Sequence, residues 1–342
     1  MKPFFKIGAL CLCLVAGISI SFSQPVDTTR FFKDEEPFEM ILTSDLKNLM
    51  SKRMQKAYQP ANVAMKFANG SEIKEDIRIQ TRGKFRLETC FMPPIMLNFK
   101  NESSPRLKPL KKLKLVVGCA TTADDEQLII KEYLAYKMYN LLTEKSFRVR
   151  LVKIRYEDTR GKIKPYSQYG FLLEDVDEMA ARNNCIEVEG GQILTESTDR
   201  DQMTLVAFFE YMIGNTDWSV PHYHNVKLMR PAGSNSLPFT VPYDFNNSGM
   251  VNASYALPQE ELGIASVRER LYRGFPRTME EVEKVAAIFL SKKDEIWSLV
   301  NNCAWLSNKY KKDIIGYLDE FYDKLKSRQS LKFTFIENAR TQ

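Results

Sequence analysis

The sequence predicts an α+β fold of two lobes. The N-terminal lobe holds a mainly antiparallel sheet and one helix, and the C-terminal lobe is helical around a single hairpin. Between residues 62 and 118, short alternating segments follow one another with turn signals between them, which is typical of antiparallel strands. One segment with helical periodicity follows at 127–142. After Asp175 the apolar residues recur mostly at helical spacing, apart from the hairpin.

The first 23 residues read as an export signal. Lys2 and Lys6 precede an apolar run over 7–20, and small residues then favour cleavage before Gln24. The run is shorter than the roughly 20 residues that span a bilayer, so an uncleaved anchor is the alternative. No later stretch reaches that length. We therefore expect a signal peptide over 1–23 and an exported protein, periplasmic or extracellular, without a transmembrane span after cleavage.

Residues 24–60 read as an N-terminal leader with a short segment, and residues 61–174 as the β-rich lobe. The leader contains a predicted strand at 38–43 and a short helix at 45–57. In the strand at 147–156, Val149 and Leu151 alternate in the phase opposite to that of later apolar residues, which predicts a bulge or strong twist near Leu151. The predicted strands of the lobe are 63–67, 75–81, 95–99, 113–117, 147–156 and 166–174.

Residues 175–342 are predicted to form the helical lobe that carries the site. A hairpin with strands at 226–230 and 237–242 has a turn, 231–236, that is rich in turn-forming residues. This hairpin brings the loops before and after it to the same end. The predicted helices are 177–183, 201–213, 280–301 and 308–326.

Composition narrows the possible functions. The 49 Lys and Arg residues exceed the 43 Asp and Glu by only six, which does not favour a nucleic-acid partner. The densest basic run, 106–114, is typical of a solvated loop, with a polyanion site as the alternative. The only two histidines, His222 and His224, exclude a His-rich metal site, and no Cys-x₂-Cys spacing predicts zinc.

Four cysteines lie beyond the predicted signal, and they allow three pairings in an oxidising compartment. Cys90 and Cys119 bracket two predicted strands, so we expect them to pair first. Cys185 and Cys303 are the other two.

The two loops at the end of the hairpin carry oxygen donors. Asp217 and Asn225 come before the hairpin, and Asp244 follows it. Taken singly, each is also explained by turn or cap formation. Together they are the ligand type that holds Mg²⁺ beside a nucleotide phosphate, and protein kinases use the same order of Asp, Asn, strand pair and Asp.

Over residues 75–275 the chain resembles the CotH kinase family of spore-coat-type atypical protein kinases, and in particular its exported bacterial members. This resemblance implies a two-lobe atypical protein-kinase-like fold. The motifs that carry it are Arg82-Gly83, Leu113-Lys114-Leu115, Glu132-Tyr133-Leu134-Ala135-Tyr136, the segment from Gly170 to Asp177, Gly214-Asn215-Thr216-Asp217, His224-Asn225 and Pro242-Tyr243-Asp244-Phe245-Asn246.

The resemblance also implies roles for the site residues. Asp217 takes the place of the catalytic aspartate, and Asn225 and Asp244 hold the metal. Lys114 contacts the nucleotide phosphates and Glu132 pairs with it. Arg82 and Glu174 complete the implied nucleotide site, with Glu174 in the inter-lobe connection beside the adenine.

Simpler interpretations exist for several of these positions. Lys114 is also explained as a strand lysine that faces solvent, and Glu132 as surface charge. Arg82-Gly83 is also explained as a plain turn.

The expected function is metal-dependent phosphotransfer from ATP, with Mg²⁺ or Mn²⁺, to a protein or small hydroxyl acceptor. A catalytically inactive kinase-fold binding module and a structural protein with a cell-envelope partner are the alternatives. A hydrolase built on Asp217 and His224 lacks a nucleophile elbow in the sequence.

Overall fold

A computed structural model of the chain describes residues 27–83, 85–100 and 105–340. The predicted signal peptide, its cleavage point and the first residues of the leader lie outside the described residues.

Seven strands form the largest unit of the fold. Their bounds are β1 Phe38–Ser44, β2 Gln59–Lys66, β3 Glu72–Thr81, β4 Ile95–Asn98, β5 Lys112–Val117, β6 Val149–Asp158 and β7 Tyr166–Leu173. They close into a barrel in the order β1, β2, β3, β4, β5, β7, β6. Neighbours are antiparallel except β1 and β6, whose parallel pairing places Phe38 opposite Val152 and Ser44 opposite Asp158.

The predicted two-lobe, kinase-like fold is wrong. The strands form a closed mixed barrel with helices packed around it, which is an α+β architecture without an open N-terminal sheet. The difference arises at residues 38–44, which the sequence assigned to a leader. They pair with β2 on one side and β6 on the other, and so join the two edges of the sheet.

The predicted bulge near Leu151 is also wrong. The register between β6 and β7 runs without interruption from Val149 opposite Leu173 to Tyr156 opposite Tyr166. Val149 and Leu151 pack against the helices outside the barrel, whereas Val152 and Ile154 face its interior. Because both faces of the strand are buried over residues 149–152, apolar residues of both phases fit one regular strand.

Ten α-helices of the described chain pack against the strands or against one another. Their bounds are α1 Thr28–Lys33, α2 Leu46–Ser51, α3 Phe85–Thr89, α4 Ala123–Leu142, α5 Val176–Arg182, α6 Arg200–Ile213, α7 Met279–Ser291, α8 Lys293–Asn301, α9 Asn308–Lys324 and α10 Arg328–Lys332. The helix predicted over 280–301 is divided at Lys292 into α7 and α8. Thr122 caps α4 by accepting a hydrogen bond from Asp125 N, and three acidic residues in the first turn favour the same helix start.

The predicted hairpin is confirmed. Strands β9, Val226–Pro231, and β10, Phe239–Pro242, pair antiparallel, and β8, Cys185–Glu187, adds a third strand that the sequence did not predict. The predicted disulfide between Cys90 and Cys119 is also confirmed, while Cys185 and Cys303 are buried free thiols. None of the helices in the described part of the chain combines the length and apolar character that a membrane span requires.

A backbone hydrogen bond between two glycines, Gly214 and Gly249, connects the loops before and after the hairpin. Helix α6 ends at Gly214, whose φ of 67° lies in the left-handed region, and Gly214 O accepts a hydrogen bond from Gly249 N at 3.0 Å. A Cβ atom at Gly214 would collide with the buried hydroxyl of Tyr317. The close approach of the two loops therefore requires a glycine here.

We expect Gly214→Ala to lower the free energy of unfolding by about 3 kcal/mol, because left-handed strain adds to overpacking against Tyr317. Gly233→Ala is the matched control, since Gly233 has a φ of 72° and open space around it; its cost is about 1 kcal/mol. Urea unfolding of both variants measures the difference. Equal losses would contradict the steric role of Tyr317.

Candidate functional site

A cavity of about 620 Å³ lies where the barrel meets the two hairpin loops. The ends of β3 and β5 form one wall, α4 forms the back, and the loops around 217–225 and 243–247 form the opposite wall. Six of the seven residues selected from the sequence line this cavity: Arg82, Lys114, Glu132, Asp217, Asn225 and Asp244.

Glu174 lies outside the cavity. Its carboxylate accepts hydrogen bonds at 2.9 Å from both Nε and Nη2 of Arg182, and a third at 2.9 Å from Arg148 N. These bonds join the end of β7 to α5. Glu174 is therefore not among the residues that line the cavity, whereas its neighbour Leu173 is.

The Asp217 carboxylate is held by three side chains. Oδ1 is 2.8 Å from His224 Nε2, and Oδ2 accepts from Asn247 Nδ2 at 2.7 Å and from Asn225 Nδ2 at 3.1 Å. Asn225 Nδ2 also donates to the carbonyl of Asp217 at 2.7 Å. The carboxylate is therefore fixed in position, and Asn225 Oδ1 is left without a partner among the described residues.

The two loops are locked to each other and to α4. Tyr243 N donates to Asn225 O at 2.9 Å, and Asp244 N donates to the hydroxyl of Tyr136 at 2.8 Å. Tyr223, Asn225 and Asp244 all have φ between 49° and 65°. Such backbone angles are uncommon for residues other than glycine, and they cluster where a fold must aim particular side chains.

A buried polar layer lies behind Asp217. Asp217 N donates to Asn215 Oδ1 at 3.1 Å, and Asn215 N donates to Glu210 O at 2.8 Å. Burial raises the pKa of Glu210 to about 8, so this carboxyl is mostly protonated at neutral pH. The guanidinium of Arg273 donates to the carbonyls of Thr216 and Trp218 and holds the other side of the same loop.

Three cations line the barrel side of the cavity. Lys114 on β5 lies with its Nζ 4.8 Å from the ring centre of Tyr243, and Arg82 and Arg86 flank it. No described carboxylate lies within ion-pair distance of any of the three, and the buried Nε atoms of both arginines have no hydrogen-bond partner among the described residues. Lys114 thus faces the cavity and not open solvent.

The cations affect one another's protonation. Burial, followed by the positive charge of Arg82, lowers the pKa of Lys114 to about 8. Burial also lowers the pKa of Arg82, with Asp244 acting in the opposite direction. These are the signs of positive charge that is held out of water without direct partners.

Glu132 is buried on α4 and is not a surface charge. Burial and then the nearby Asp244 raise its pKa to about 8, and a backbone hydrogen bond from Phe245 acts against this rise. Glu132 and Lys114 line the same cavity but do not form the ion pair that the sequence predicted. The positive charges of Arg86 and Arg82 act on Glu132 instead, and they lower its pKa against the effect of burial.

The loop before the hairpin does not contain a hydrolytic triad, although it carries Asp217, Ser219, His222 and His224. Ser219 Oγ contacts His222 Nδ1 at 2.8 Å, while His224 contacts Asp217. The serine and the aspartate therefore bind different imidazoles.

Sequence reasoning missed three residues of the cavity. Arg86 lies between the predicted strands 75–81 and 95–99, where a five-residue helix directs it inward. Tyr136 belongs to one of the motifs above but has no predicted role, although its hydroxyl positions Asp244. Asn247 directly follows the motif that ends at Asn246, and its contact with Asp217 spans 30 residues.

No protein-family model matches the chain, and no curated protein is significantly similar to it. Within the described ranges, no group of three or more His, Cys, Asp and Glu side chains is arranged to hold a metal ion. A metal in this cavity would therefore need amide oxygens and oxygens of a bound ligand in addition to a carboxylate.

We expect the affinity of the cavity for a nucleoside triphosphate, measured without metal, to fall about tenfold between pH 7.5 and 9.5. Over this range Lys114 loses its proton and Glu132 becomes charged, since both pKa values lie near 8. The ligand keeps its own charge, because its last phosphate proton leaves near pH 6. Calorimetric titration measures the change.

Lys114→Arg keeps its charge at pH 9.5, so its affinity should fall less than that of the wild type. Glu132→Gln removes the other titrating group and is the second control. A wild-type affinity that is constant from pH 7.5 to 9.5 would contradict the assigned roles of both residues.

Proposed function

We propose that this protein transfers the terminal phosphoryl group of ATP, bound with Mg²⁺ or Mn²⁺, to a hydroxyl group of a protein or small molecule. The observation that carries the proposal is the separation of charge across the cavity. Arg82, Arg86 and Lys114 lie on the barrel side, and the oxygen donors of Asn225 and Asp244 lie on the hairpin side.

The barrel side of the cavity, with Arg82, Arg86 and Lys114, is called the cationic wall below, and its charge is suited to bind a chain of phosphates. A phosphoryl group in transfer carries negative charge spread over its oxygens, so catalysis depends mainly on positioned positive charge and alignment. These three cations are partly buried and have no described carboxylate at ion-pair distance, so part of their desolvation precedes the binding of an anion. They therefore favour a phosphate-bearing ligand over a neutral one.

The hairpin side of the cavity, with Asn225 and Asp244, is suited to bind a hard divalent cation. Mg²⁺ usually keeps several waters and binds through one or two carboxylates together with substrate phosphates, so it does not need three acidic residues. Asp244 supplies the carboxylate, and Asn225 supplies an amide oxygen because its Nδ2 is bound to Asp217. A metal held there would neutralise charge on the phosphates.

Asp217 is placed to accept the proton of the acceptor hydroxyl. A carboxylate has about four lone-pair sites, and His224, Asn225 and Asn247 occupy three of them. The remaining site accepts the hydroxyl proton as the hydroxyl oxygen bonds to the γ-phosphorus. The bond from that phosphorus to the ADP oxygen breaks, and ADP leaves with the bonding electrons.

A second candidate is a protein that binds a phosphate-bearing ligand without turnover, in keeping with an exported protein that has a cell-envelope partner. The three hydrogen bonds to Asp217 favour it, because they already occupy most of the acceptor sites of the carboxylate. This candidate uses the same cavity and the same cations, and it lacks only the transfer step.

We expect Mn²⁺ with ATP, at 100 times the dissociation constant, to raise the free energy of unfolding by about 2.7 kcal/mol. Asp244→Asn should abolish most of this gain, because it removes the carboxylate that would hold the metal. The exposed Asp201→Asn, which loses only a surface pairing with Lys284, is the matched control. Differential scanning calorimetry measures the gain, and ADP release measures turnover.

The outcomes separate the two candidates. A gain in stability accompanied by ADP release that falls about 100-fold or more in Asp244→Asn supports phosphoryl transfer. The same gain without ADP release from any tested hydroxyl acceptor supports the binding protein. The absence of any gain in the wild type would exclude both.

A further inference from the structure

The disulfide joins the two parts of the chain that supply the cationic wall. Cys90 directly follows α3, which carries Arg86, and Cys119 lies two residues beyond β5, which carries Lys114. The Cα atoms of the two cysteines are 4.4 Å apart. One covalent bond thus fixes the distance between the arginine-bearing segment and the lysine-bearing strand.

Other contacts also hold the arginine-bearing segment. Phe91 N donates to Cys119 O at 2.9 Å, and the Arg86 guanidinium donates to the carbonyl of Val117. Arg53 holds the segment from the far side, through the carbonyls of Leu87 and Cys90 at 3.2 and 2.7 Å. A helix of five residues has almost no stability of its own, so the position of α3 depends on such ties.

Electrostatic repulsion acts against this arrangement. Arg86 is among the charges that lower the pKa of Arg82, and Arg82 in turn lowers the pKa of Lys114. Like charges brought together at low dielectric tend to move apart unless a bound anion or a rigid frame holds them. The Cys90–Cys119 disulfide is the covalent cross-link in that frame.

We propose that the Cys90–Cys119 disulfide assembles the cationic wall, so that the cavity binds phosphate groups tightly only in the oxidised protein. In the balanced reaction the two thiols give two electrons and two protons to a disulfide oxidant, RSSR, which leaves as two RSH. Cys90 is buried and Cys119 is partly exposed, so exchange with the oxidant or with a dithiol reductant proceeds at Cys119 Sγ. The inference rests on the proposed phosphate-binding function and links it to an oxidising compartment.

The test compares pyrophosphate binding by calorimetry in the oxidised protein, in the dithiol-reduced protein and in a Cys90→Ser, Cys119→Ser double variant. We expect the affinity to fall at least tenfold in the second and third samples. A Cys185→Ser, Cys303→Ser double variant, which removes only the buried free thiols, is the matched control and should bind as the oxidised wild type does. Near-ultraviolet circular dichroism of each sample reports whether the tertiary packing is intact.

Equal affinity of the folded oxidised and reduced proteins would overturn the inference and leave the proposed function standing. Global loss of tertiary packing on reduction would also overturn it, because the bond would then maintain the whole fold and not this wall. Failure of the oxidised wild type to bind pyrophosphate would instead count against the proposed function itself, and the inference would fall with it.

Discussion

The site depends on one physical constraint, which is the clustering of three partly buried positive charges without a described carboxylate at ion-pair distance. Arg82, Arg86 and Lys114 line a cavity in which no described carboxylate lies within ion-pair distance of them. Keeping charges partly out of water costs free energy unless a counter-ion is supplied. The phosphate-bearing ligand that we propose would supply this counter-ion, and the acidic and amide side chains across the cavity would hold its metal.

The rest of the molecule supports this arrangement from two directions. The closed barrel fixes the strand that carries Lys114, because each of its seven strands is paired on both sides and no edge is free to move. The hairpin and its left-handed residues fix Asn225 and Asp244, while Gly214 and Gly249 allow the two loops to approach. The barrel and the loops therefore meet at a cavity that has positive side chains on one wall and oxygen donors on the other.

The sequence predicted the local features and missed the closure of the sheet. Turn residues and oxygen donors at fixed offsets predicted the hairpin, and cysteine spacing predicted the disulfide. Closure depends on the parallel pairing of residues 38–44 with 152–158, more than 100 positions away, and no local pattern encodes such a pairing. The contact of Glu174 with Arg182 was missed for a different reason, since Arg182 is only eight residues away but looks in the sequence like an ordinary helix-end arginine. Arg86 was missed because a five-residue helix leaves little periodicity to detect.

The central claim is that a divalent cation and a phosphate chain meet between the two walls of the cavity. The most direct measurement is the anomalous diffraction of Mn²⁺ in crystals grown with a non-hydrolysable ATP analogue. The account predicts one strong peak about 2.0–2.6 Å from a carboxylate oxygen of Asp244 and from Asn225 Oδ1, with phosphate density extending toward Lys114. Ordered nucleotide and metal bound elsewhere on the molecule, with this cavity containing only solvent, would contradict it.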